Sequence, residues 1–337
     1  MTDGTTKRPP QAGSSVKTIA KVLVGTAVLG ITAWHIGSMD STLGTENDLS
    51  LLREANTFRG QKRPAPPPSV IPRLIHQSWK TSENIPSRFV PWMQSWRTFN
   101  PEWQYVFWDD RDNLQLFQTY FPEYYPMATQ LAKISLADMA RYALLYQYGG
   151  VYADADFECL QSFDDLIDLD LFLSFEPLVH SVLLEGATQP VLCNAILASR
   201  PKHPFWLHVL QQIKAKFDRQ ESLKDPVALT GPRVVQESVE AVNITTMNIS
   251  LLPEEYFYPE IAYWNLDNLQ TKCSKAASPV VQDACAWIEK YPTGRHTAKT
   301  HAVHHWQCTW ARGESWFART YALDEIFPGQ EVWRPQF

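Results

Sequence analysis

The sequence predicts one α/β domain, in which helices cover both faces of a β-sheet, behind an N-terminal membrane anchor. From about residue 70 onward, short β-like runs alternate with helical patterns, and this alternation is typical of such a sheet. A single apolar run near the N-terminus predicts the anchor. The 337 residues suit one α/β domain with an appended anchor, and a hydrophobic content of 45% suffices for a large buried core.

Three segments define the first half of the predicted domain. Residues 73–77 (RLIHQ) are expected to form a first strand, and residues 104–108 (QYVFW) a second one. A helix is predicted over residues 128–148, because apolar side chains recur there at helical spacing.

Asp154 and Asp156 follow this helix, a Gly149-Gly150 stop and a short strand at residues 151–153. The C-terminal ends of strands are where α/β sheets place ligands. Two carboxylates at positions i and i+2 can approach one hard cation, which can in turn bridge the phosphates of a nucleotide-sugar. Because D-x-D triplets are also common in solvated turns, the prediction depends on the surrounding sequence.

The preceding helix carries Asp138 and Arg141, which lie three residues apart on one face. Their alternative interpretation is an ordinary surface ion pair, which contributes under about 1 kcal/mol. Aspartyl-phosphate phosphatases also present D-x-D after a strand, but they normally follow it with x-T or x-V on the first strand of the fold. Here Phe157 and Glu158 follow the triplet well inside the domain, which argues against a phosphatase.

The apolar run predicts one transmembrane signal-anchor over residues 22–39, since no residue between Lys21 and Asp40 carries a full charge. Lysine and arginine precede this run and acidic residues follow it, so residues 1–21 should form a cytoplasmic tail. The alternatives are a cleaved signal peptide, although no A-x-A-like site follows Trp34, and a buried helix of the soluble domain.

Residues 40–69 should form a proline-rich stem, and residues 70–337 the lumenal domain. Five cysteines fit an oxidising compartment, and Cys273 and Cys285 are close enough in sequence to be the first candidates for a disulfide. Asn243 and Asn248 begin N-glycosylation sequons. A net charge of -6 provides no general basic field, so nucleic acid is not expected as a partner.

Three ordered blocks of sequence carry a family resemblance. They are residues 71–80 (IPRLIHQSWK), residues 100–110 (NPEWQYVFWDD) and residues 137–156, from ADMARY to the acidic pair. Together they resemble the DXD-containing glycosyltransferases of family 32, which include fungal Golgi mannosyltransferases and, more distantly, the glucosylating domain of large clostridial toxins. The resemblance extends from about residue 71 to residue 165.

The resemblance implies a GT-A fold, that is, one Rossmann-like nucleotide-sugar-binding domain with a mixed sheet, and a retaining transfer that depends on Mn²⁺ or Mg²⁺. By position, Asp156 would be the direct metal ligand, and Asp154 would reach the nucleotide ribose or, through water, the metal. Asp138 and Arg141 would hold the hydroxyls of the donor sugar. These four are the predicted catalytic residues.

Further donor-binding and metal-binding residues are implied by the same resemblance. His76 and Gln77 would lie near the nucleotide base, and the remaining donor-binding positions are Tyr152 and Gly231, the latter in a family-like T-G-P segment whose alternative interpretation is a plain turn. In the late segment HAVHHW, either His304 or His305 would complete the metal site as a neutral imidazole, unless these side chains serve only buried hydrogen bonds.

The expected function is transfer of a hexose, with GDP-mannose as the favoured donor, to a glycan or glycolipid in the secretory pathway. N-glycans and inositol phosphoceramide both remain open as acceptors. A UDP-hexose donor and a catalytically inactive sugar-binding relative are the alternatives. The protein would be a single-pass type II protein of the Golgi or ER membrane, with its catalytic domain in the lumen.

Overall fold

The computed structural model describes residues 71–274, 278–312 and 319–337. The predicted cytoplasmic tail, transmembrane helix and stem, residues 1–21, 22–39 and 40–69, lie outside the described residues. Within the described ranges, no helix has both the length and the apolar character needed to cross a membrane. All of the described residues belong to one compact unit.

The described residues contain ten strands, which are β1 (Leu74–Ser78), β2 (Ile85–Pro86), β3 (Gln104–Trp108), β4 (Gly150–Ala153), β5 (Phe157–Cys159), β6 (Leu171–Phe175), β7 (Leu192–Ser199), β8 (Ile249–Leu252), β9 (Ala302–His304) and β10 (Thr320–Tyr321). Six of them form the central sheet, in the order β3–β1–β4–β7–β6–β8. Two small ribbons, β2–β10 and β5–β9, lie beside it.

The central sheet is mixed, as the family resemblance implies. Strand β1 runs parallel to β3 and to β4, whereas β7 runs antiparallel to β4 and to β6. Strand β8 is parallel to β6. Because β3, β1 and β4 are neighbours with a common direction, their C-terminal ends meet at one edge of the sheet, which is where open α/β sheets place ligands.

The helices of the described residues are α1 (Phe89–Phe99), α2 (Asp110–Tyr120), α3 (Tyr125–Ala128), α4 (Lys133–Tyr148), α5 (Leu178–Leu183), α6 (Pro204–Asp218), α7 (Pro226–Leu229), α8 (Pro232–Glu240), α9 (Leu266–Cys273), α10 (Pro279–Lys290), α11 (Thr309–Arg312) and α12 (Leu323–Ile326). Two 3₁₀ turns, Glu254–Tyr256 and Tyr263–Asn265, complete the set.

Apolar side chains fill the space on both faces of the sheet. On one face, α4 and α6 bury Tyr142 and Trp206, whose rings stack with centroids 5.8 Å apart. On the other face, α1 buries Met93 and Trp96 against the strands. Successive residues of a strand point to opposite faces, so each strand contributes to both layers. Coverage of both faces by helices is therefore confirmed.

The predicted strands are confirmed, β3 with the expected bounds and β1 displaced by one residue, and the predicted helix is confirmed as α4, with the expected end at Tyr148 but a later start. It begins at Lys133 rather than at residue 128, because Ala128 ends the separate helix α3. Between them, the hydroxyl of Thr129 and the side-chain amide of Gln130 both donate to the carbonyl oxygen of Pro126. Ala132 has an extended ψ of 149°, which interrupts the helical hydrogen bonds.

Gly149 and Gly150 end α4, both with positive φ, of 69° and 99°. We expect Gly150→Ala to lower the free energy of unfolding by about 1–3 kcal/mol, because a side chain at such a φ is strained. In addition, the new Cβ would lie 2.7 Å from the carbonyl oxygen of Leu74 on β1. Urea unfolding measures the loss, with Gly186→Ala as control, since Gly186 has a φ of 72° but a Cβ added there would meet no atom within 4 Å. Equal losses in the two variants would exclude the steric clash.

Cys273 and Cys285 form a disulfide between α9 and α10, which confirms the predicted pair. Cys159, Cys193 and Cys308 are free thiols.

Candidate active site

A cavity of about 570 Å³ opens at the C-terminal ends of β3, β1 and β4. Residues of α4 line part of it, and residues of β9 and of the segment that follows β9 line another part. The residues that line it are Ser78, Trp79, Lys80, Phe89, Asp110, Lys133, Ile134, Ala137, Arg141, Tyr152, Asp154, Ala155, Asp156, His304, Cys308 and Thr309. Four of the predicted site residues on β4, α4 and the following turn therefore share one cavity with His304.

Asp154, Asp156 and His304 form the acidic end of this cavity. One potential ligand atom from each residue lies within 4.8 Å of the other two. His304 reaches the acidic pair because β9 pairs antiparallel with β5, which places His304 opposite Phe157. Two carboxylates and one imidazole fit a divalent cation, and the nitrogen suits Mn²⁺ better than Mg²⁺, which prefers oxygen ligands.

Asp156 is held by contacts on both of its carboxylate oxygens. Its Oδ1 lies 3.2 Å from Nε2 of His304, and its Oδ2 accepts the backbone N–H of Gln307 at 2.8 Å. Burial alone would raise the pKa of Asp156, but His304 and the Gln307 amide hold it below its ordinary value. The side chain is therefore a preformed anion at neutral pH.

Arg141 connects Asp154 to Asp138. Its Nη2 lies 3.2 Å from Oδ1 of Asp138 and 3.2 Å from Oδ1 of Asp154, while its Nη1 donates to the carbonyl oxygen of Asn194 at 2.8 Å. The guanidinium also lies over the ring of Tyr152, 4.7 Å from its centroid. Because its side chain is only 4% exposed, this is a buried ion-pair network rather than the surface pair that the spacing also allowed.

The two carboxylates in this network are costly to ionise. Burial raises the pKa of Asp138 to about 6, although Arg141 opposes the increase. Burial also raises the pKa of Asp154, again against Arg141, and the charge of Asp156 adds to the increase. The hydroxyl of Tyr152 donates to Oδ1 of Asp154 at 2.7 Å, which favours the ionised form.

Two residues that were not among the predicted site residues hold Asp138 in place. The side-chain amide of Asn194 donates to Oδ1 of Asp138 at 3.0 Å, and the hydroxyl of Thr230 donates to its Oδ2 at 3.1 Å. The T-G-P segment thus reaches the site through Thr230. The predicted residue Gly231 does not line the cavity. It is the residue before α8, where an added Cβ would lie 2.9 Å from Cα of Val227.

His76 and Gln77 do not line the cavity. His76 is fully buried, its Nδ1 accepts from the indole of Trp108 at 3.1 Å, and its Nε2 donates to the carbonyl oxygen of Gly149 at 2.9 Å. Burial lowers the pKa of His76 to about 4, so the ring is neutral. Gln77 donates to the backbone carbonyl oxygen of Asp154 at 3.0 Å. These two residues therefore hold the backbone on either side of β4, and they do not line the cavity in which a nucleotide base would bind.

His305 points away from the acidic pair. Its Nε2 lies 3.0 Å from Oε2 of Glu158, and its ring stacks on Trp92 with centroids 4.0 Å apart. Of the two late histidines, only His304 is brought to Asp154 and Asp156. The lining residues Trp79, Asp110 and Lys133 were not among the predicted site residues, although Trp79 and Asp110 lie inside the family-like blocks.

Comparisons with known proteins agree with this geometry. Residues 86–173, which include the helix, both glycines and the acidic pair, match the family described as the glycosyltransferase sugar-binding region containing a DXD motif. Inositol phosphoceramide mannosyltransferase 1 of Schizosaccharomyces pombe is 33% identical over 162 residues, which cover 46% of this chain and 46% of the relative. The initiation-specific alpha-1,6-mannosyltransferase of Saccharomyces cerevisiae is 29% identical over 128 residues, which cover 35% of this chain and 26% of the relative.

The alignments thus span less than half the length of either relative. Among solved structures, the PaToxG glycosyltransferase aligns over 74% of this chain and 87% of its own, with 15% identity and a TM-score of 0.41. The resemblance stated from the three sequence blocks is confirmed. The matched residues carry Asp138, Arg141, Asp154 and Asp156, so the predicted site lies in the part of the chain that is similar to the DXD-containing glycosyltransferase sugar-binding region and to fungal mannosyltransferases.

Proposed function

We propose that this protein is a retaining, metal-dependent glycosyltransferase of GT-A type that transfers mannose from GDP-mannose to a glycan or glycolipid. The observation that carries the proposal is the convergence of Asp154, Asp156 and His304 at one end of a cavity, next to the buried Arg141. A nucleotide-sugar donor needs this combination, because a diphosphate must be neutralised while the sugar is held by hydrogen bonds.

Each residue has a distinct role in this proposal. Asp156 and His304 would hold Mn²⁺, which would offset the charge that develops on the departing diphosphate. Asp138 and Arg141 would orient the hydroxyls of the donor sugar, and Asn194 and Thr230 would keep Asp138 in position. The acceptor hydroxyl would attack from the face that the diphosphate leaves, and its proton would pass to a phosphate oxygen.

The opposite end of the cavity supports a guanine nucleotide. Strand β3 is two strands away from β4, a distance of about 10 Å at ordinary strand spacing, which a nucleoside diphosphate can span. There, Trp79 offers aromatic surface, and Asp110 and Lys133 line the cavity, with Oδ2 of Asp110 2.7 Å from Nζ of Lys133. Guanine presents N–H donors beside a carbonyl acceptor, which complements a carboxylate beside an ammonium. Uracil presents two carbonyl oxygens around one N–H, which a carboxylate repels.

The acceptor and the cellular location are further parts of this proposal. Curated relatives are named for inositol phosphoceramide and for alpha-1,6-mannosyl transfer, so both a sphingolipid and an N-glycan stay candidates. The disulfide between Cys273 and Cys285 supports an oxidising compartment such as the Golgi or ER lumen. Residues 22–39 would then anchor the protein in that membrane.

The test is nucleotide release by the purified full-length protein from GDP-mannose, UDP-glucose and UDP-galactose, with Mn²⁺ or with EDTA. We expect release from GDP-mannose with Mn²⁺ and its loss in EDTA. Release from a UDP-sugar instead would identify the UDP-hexose alternative. Donor binding without release under any condition would identify a sugar-binding relative that has lost turnover.

The same assay tests the base end of the cavity through Asp110→Asn. Because the amide replaces a charged acceptor, we expect the preference for GDP-mannose over UDP-glucose to fall about 10- to 100-fold, the value of one or two charged hydrogen bonds. Asp218→Asn, which removes an exposed carboxylate on α6, is the matched control. An unchanged preference in Asp110→Asn would remove this residue from base recognition without affecting the transferase proposal.

A further inference from the structure

The chain between α8 and β8 contains two N-glycosylation sequons that follow one another closely, at residues 243–245 (NIT) and at residues 248–250 (NIS). The glycan of such a site is attached to the side-chain nitrogen of asparagine, and the sites lie in surface loops of secreted proteins. The surroundings of this nitrogen therefore decide which of the two sequons the folded protein can use.

Asn243 is exposed, and the fold does not use its side-chain nitrogen. Its Oδ1 accepts the backbone N–H of Thr246 at 2.9 Å, whereas its Nδ2 donates no hydrogen bond within the part of the chain that the structure describes. Thr245, the hydroxyl residue of this sequon, is exposed as well. Ile244 between them packs against the core and anchors the turn. Both residues that define the first sequon are therefore accessible on a fixed turn.

Asn248 is also exposed, but the fold uses its side-chain nitrogen. Its Nδ2 donates to Oδ2 of Asp170 at 3.2 Å. The same carboxylate oxygen lies 3.4 Å from Nε of Arg200, and the side chain of Asp170 is only 9% exposed. A sugar on this nitrogen would replace one of its two hydrogens beside an ion pair that is largely covered by protein.

The rest of the second sequon belongs to strand β8. Ile249 is buried, and Ser250 lies opposite Phe172 in the parallel pairing of β8 with β6. Asn248 itself has a φ of 52°, in the left-handed region that non-glycine residues seldom adopt. The second sequon is therefore part of the folded sheet, whereas the first lies in the turn before it.

This turn lies at the end of the sheet opposite to the donor cavity. Strands β4 and β6 both run antiparallel to β7, and β8 is parallel to β6, so β4 and β8 run in one direction. The donor cavity opens at the C-terminal end of β4, whereas the turn precedes the N-terminal end of β8. A glycan on the turn would therefore leave the donor cavity open.

We infer that Asn243 carries an N-linked glycan and that Asn248 does not. In this modification, Nδ2 of Asn243 forms a bond to the anomeric carbon of a lipid-linked oligosaccharide diphosphate. The bond between that carbon and the diphosphate breaks, the lipid diphosphate leaves with the electron pair of that bond, and the amide releases one proton. The inference rests on the lumenal location that is part of the proposed function, because this donor is used in the ER lumen.

The test uses the full-length protein expressed in a eukaryotic cell. Peptide N-glycosidase F removes N-glycans and leaves an aspartate at each glycosylated position, which peptide mass spectrometry locates. Thr245→Ala and Ser250→Ala are a matched pair, because each removes the hydroxyl of one sequon and leaves both asparagines in place. We expect a glycan at position 243 in the wild type and in Ser250→Ala, and its complete loss in Thr245→Ala.

Gln220→Asn is the control for the compartment, because it creates a new sequon at residues 220–222, in the turn after α6. Gln220 is exposed and has a φ of 57°, which asparagine tolerates. A glycan in this variant at position 220, with none at position 243, overturns the inference and leaves the lumenal location standing. No glycan at either position contradicts the lumenal location and this inference together. A glycan on Asn248 in any variant overturns the selection between the two sequons.

Nucleotide release from the donor separates this inference from the transferase proposal. Thr245→Ala should release nucleotide at the wild-type rate, since the turn lies away from the donor cavity. A slower rate in Thr245→Ala would contradict a glycan position that leaves the cavity open. A glycan at position 243 in a protein that releases no nucleotide from any donor would contradict the transferase proposal and confirm the glycosylation site.

Discussion

Replacement of Asp156 by alanine is expected to lower nucleotide release from the donor by at least about 10³-fold. A bound divalent cation contributes several kcal/mol of transition-state stabilisation, and each 1.4 kcal/mol corresponds to a factor of about ten in rate. Asp156 is the member of the acidic pair that contacts His304, and its pKa is held low, so it is the preformed anionic ligand. Mn²⁺ binding should be lost together with activity. Electron paramagnetic resonance measures this binding, because the signal of the free ion decreases when the ion is bound.

Asp156→Asn separates this role from folding. Alanine leaves the N–H of Gln307 without its acceptor, which by itself costs about 1–3 kcal/mol, whereas asparagine can still accept that bond. We therefore expect Asp156→Asn to unfold near the wild-type urea midpoint and still lose Mn²⁺ binding. Asp218→Ala, on the surface of α6, should keep both properties. Wild-type turnover by Asp156→Ala in EDTA would contradict the metal role of this residue.

The parts of the site that the sequence predicted are those encoded by local pattern. The Gly149-Gly150 stop, the strand after it and the acidic pair lie within eight consecutive residues, so backbone propensity alone brings them into order. Asp138 and Arg141 are likewise neighbours on one helix. In such stretches, the spacing of residues along the sequence determines how close they lie in the structure.

The residues that the sequence missed reach the site through tertiary pairing. Asn194 and Thr230 are 56 and 92 residues away from Asp138. Asn194 belongs to no pattern in the sequence, and the family-like segment that contains Thr230 does not by itself signal a contact with an aspartate. For a related reason, the sequence could not show whether His304 or His305 faces the acidic pair. Successive side chains of a strand point in opposite directions, so the pairing of β9 with β5 decides which ring faces Asp156.

A second large effect is expected for Arg141→Met, which keeps an unbranched side chain but removes the charge between Asp138 and Asp154. We expect the free energy of unfolding at neutral pH to fall by about 3–5 kcal/mol, because removal of one partner leaves uncompensated charge in the interior. Donor turnover should fall with it. Arg200→Met, at a half-buried arginine paired with Asp170, is the matched control and should lose less.

The pH dependence of this loss distinguishes lost charge pairing from lost packing. Arg141 lowers the pKa of both Asp138 and Asp154, so its removal raises them further above their ordinary value of 3.8. A carboxyl whose pKa is raised in the folded state stabilises the fold below its unfolded pKa, and this contribution is lost as the pH rises through the folded pKa. Since the folded pKa of Asp138 is already about 6 with Arg141 present, the stability deficit of Arg141→Met should be small at pH 5 and large at pH 8.

Adding Asp138→Asn to Arg141→Met should then recover part of the lost stability at pH 8, because the buried charge that Arg141 had balanced is gone. Urea unfolding of the single and double variants at both pH values measures these differences, and a deficit that is equal at pH 5 and pH 8 would assign the whole loss to packing.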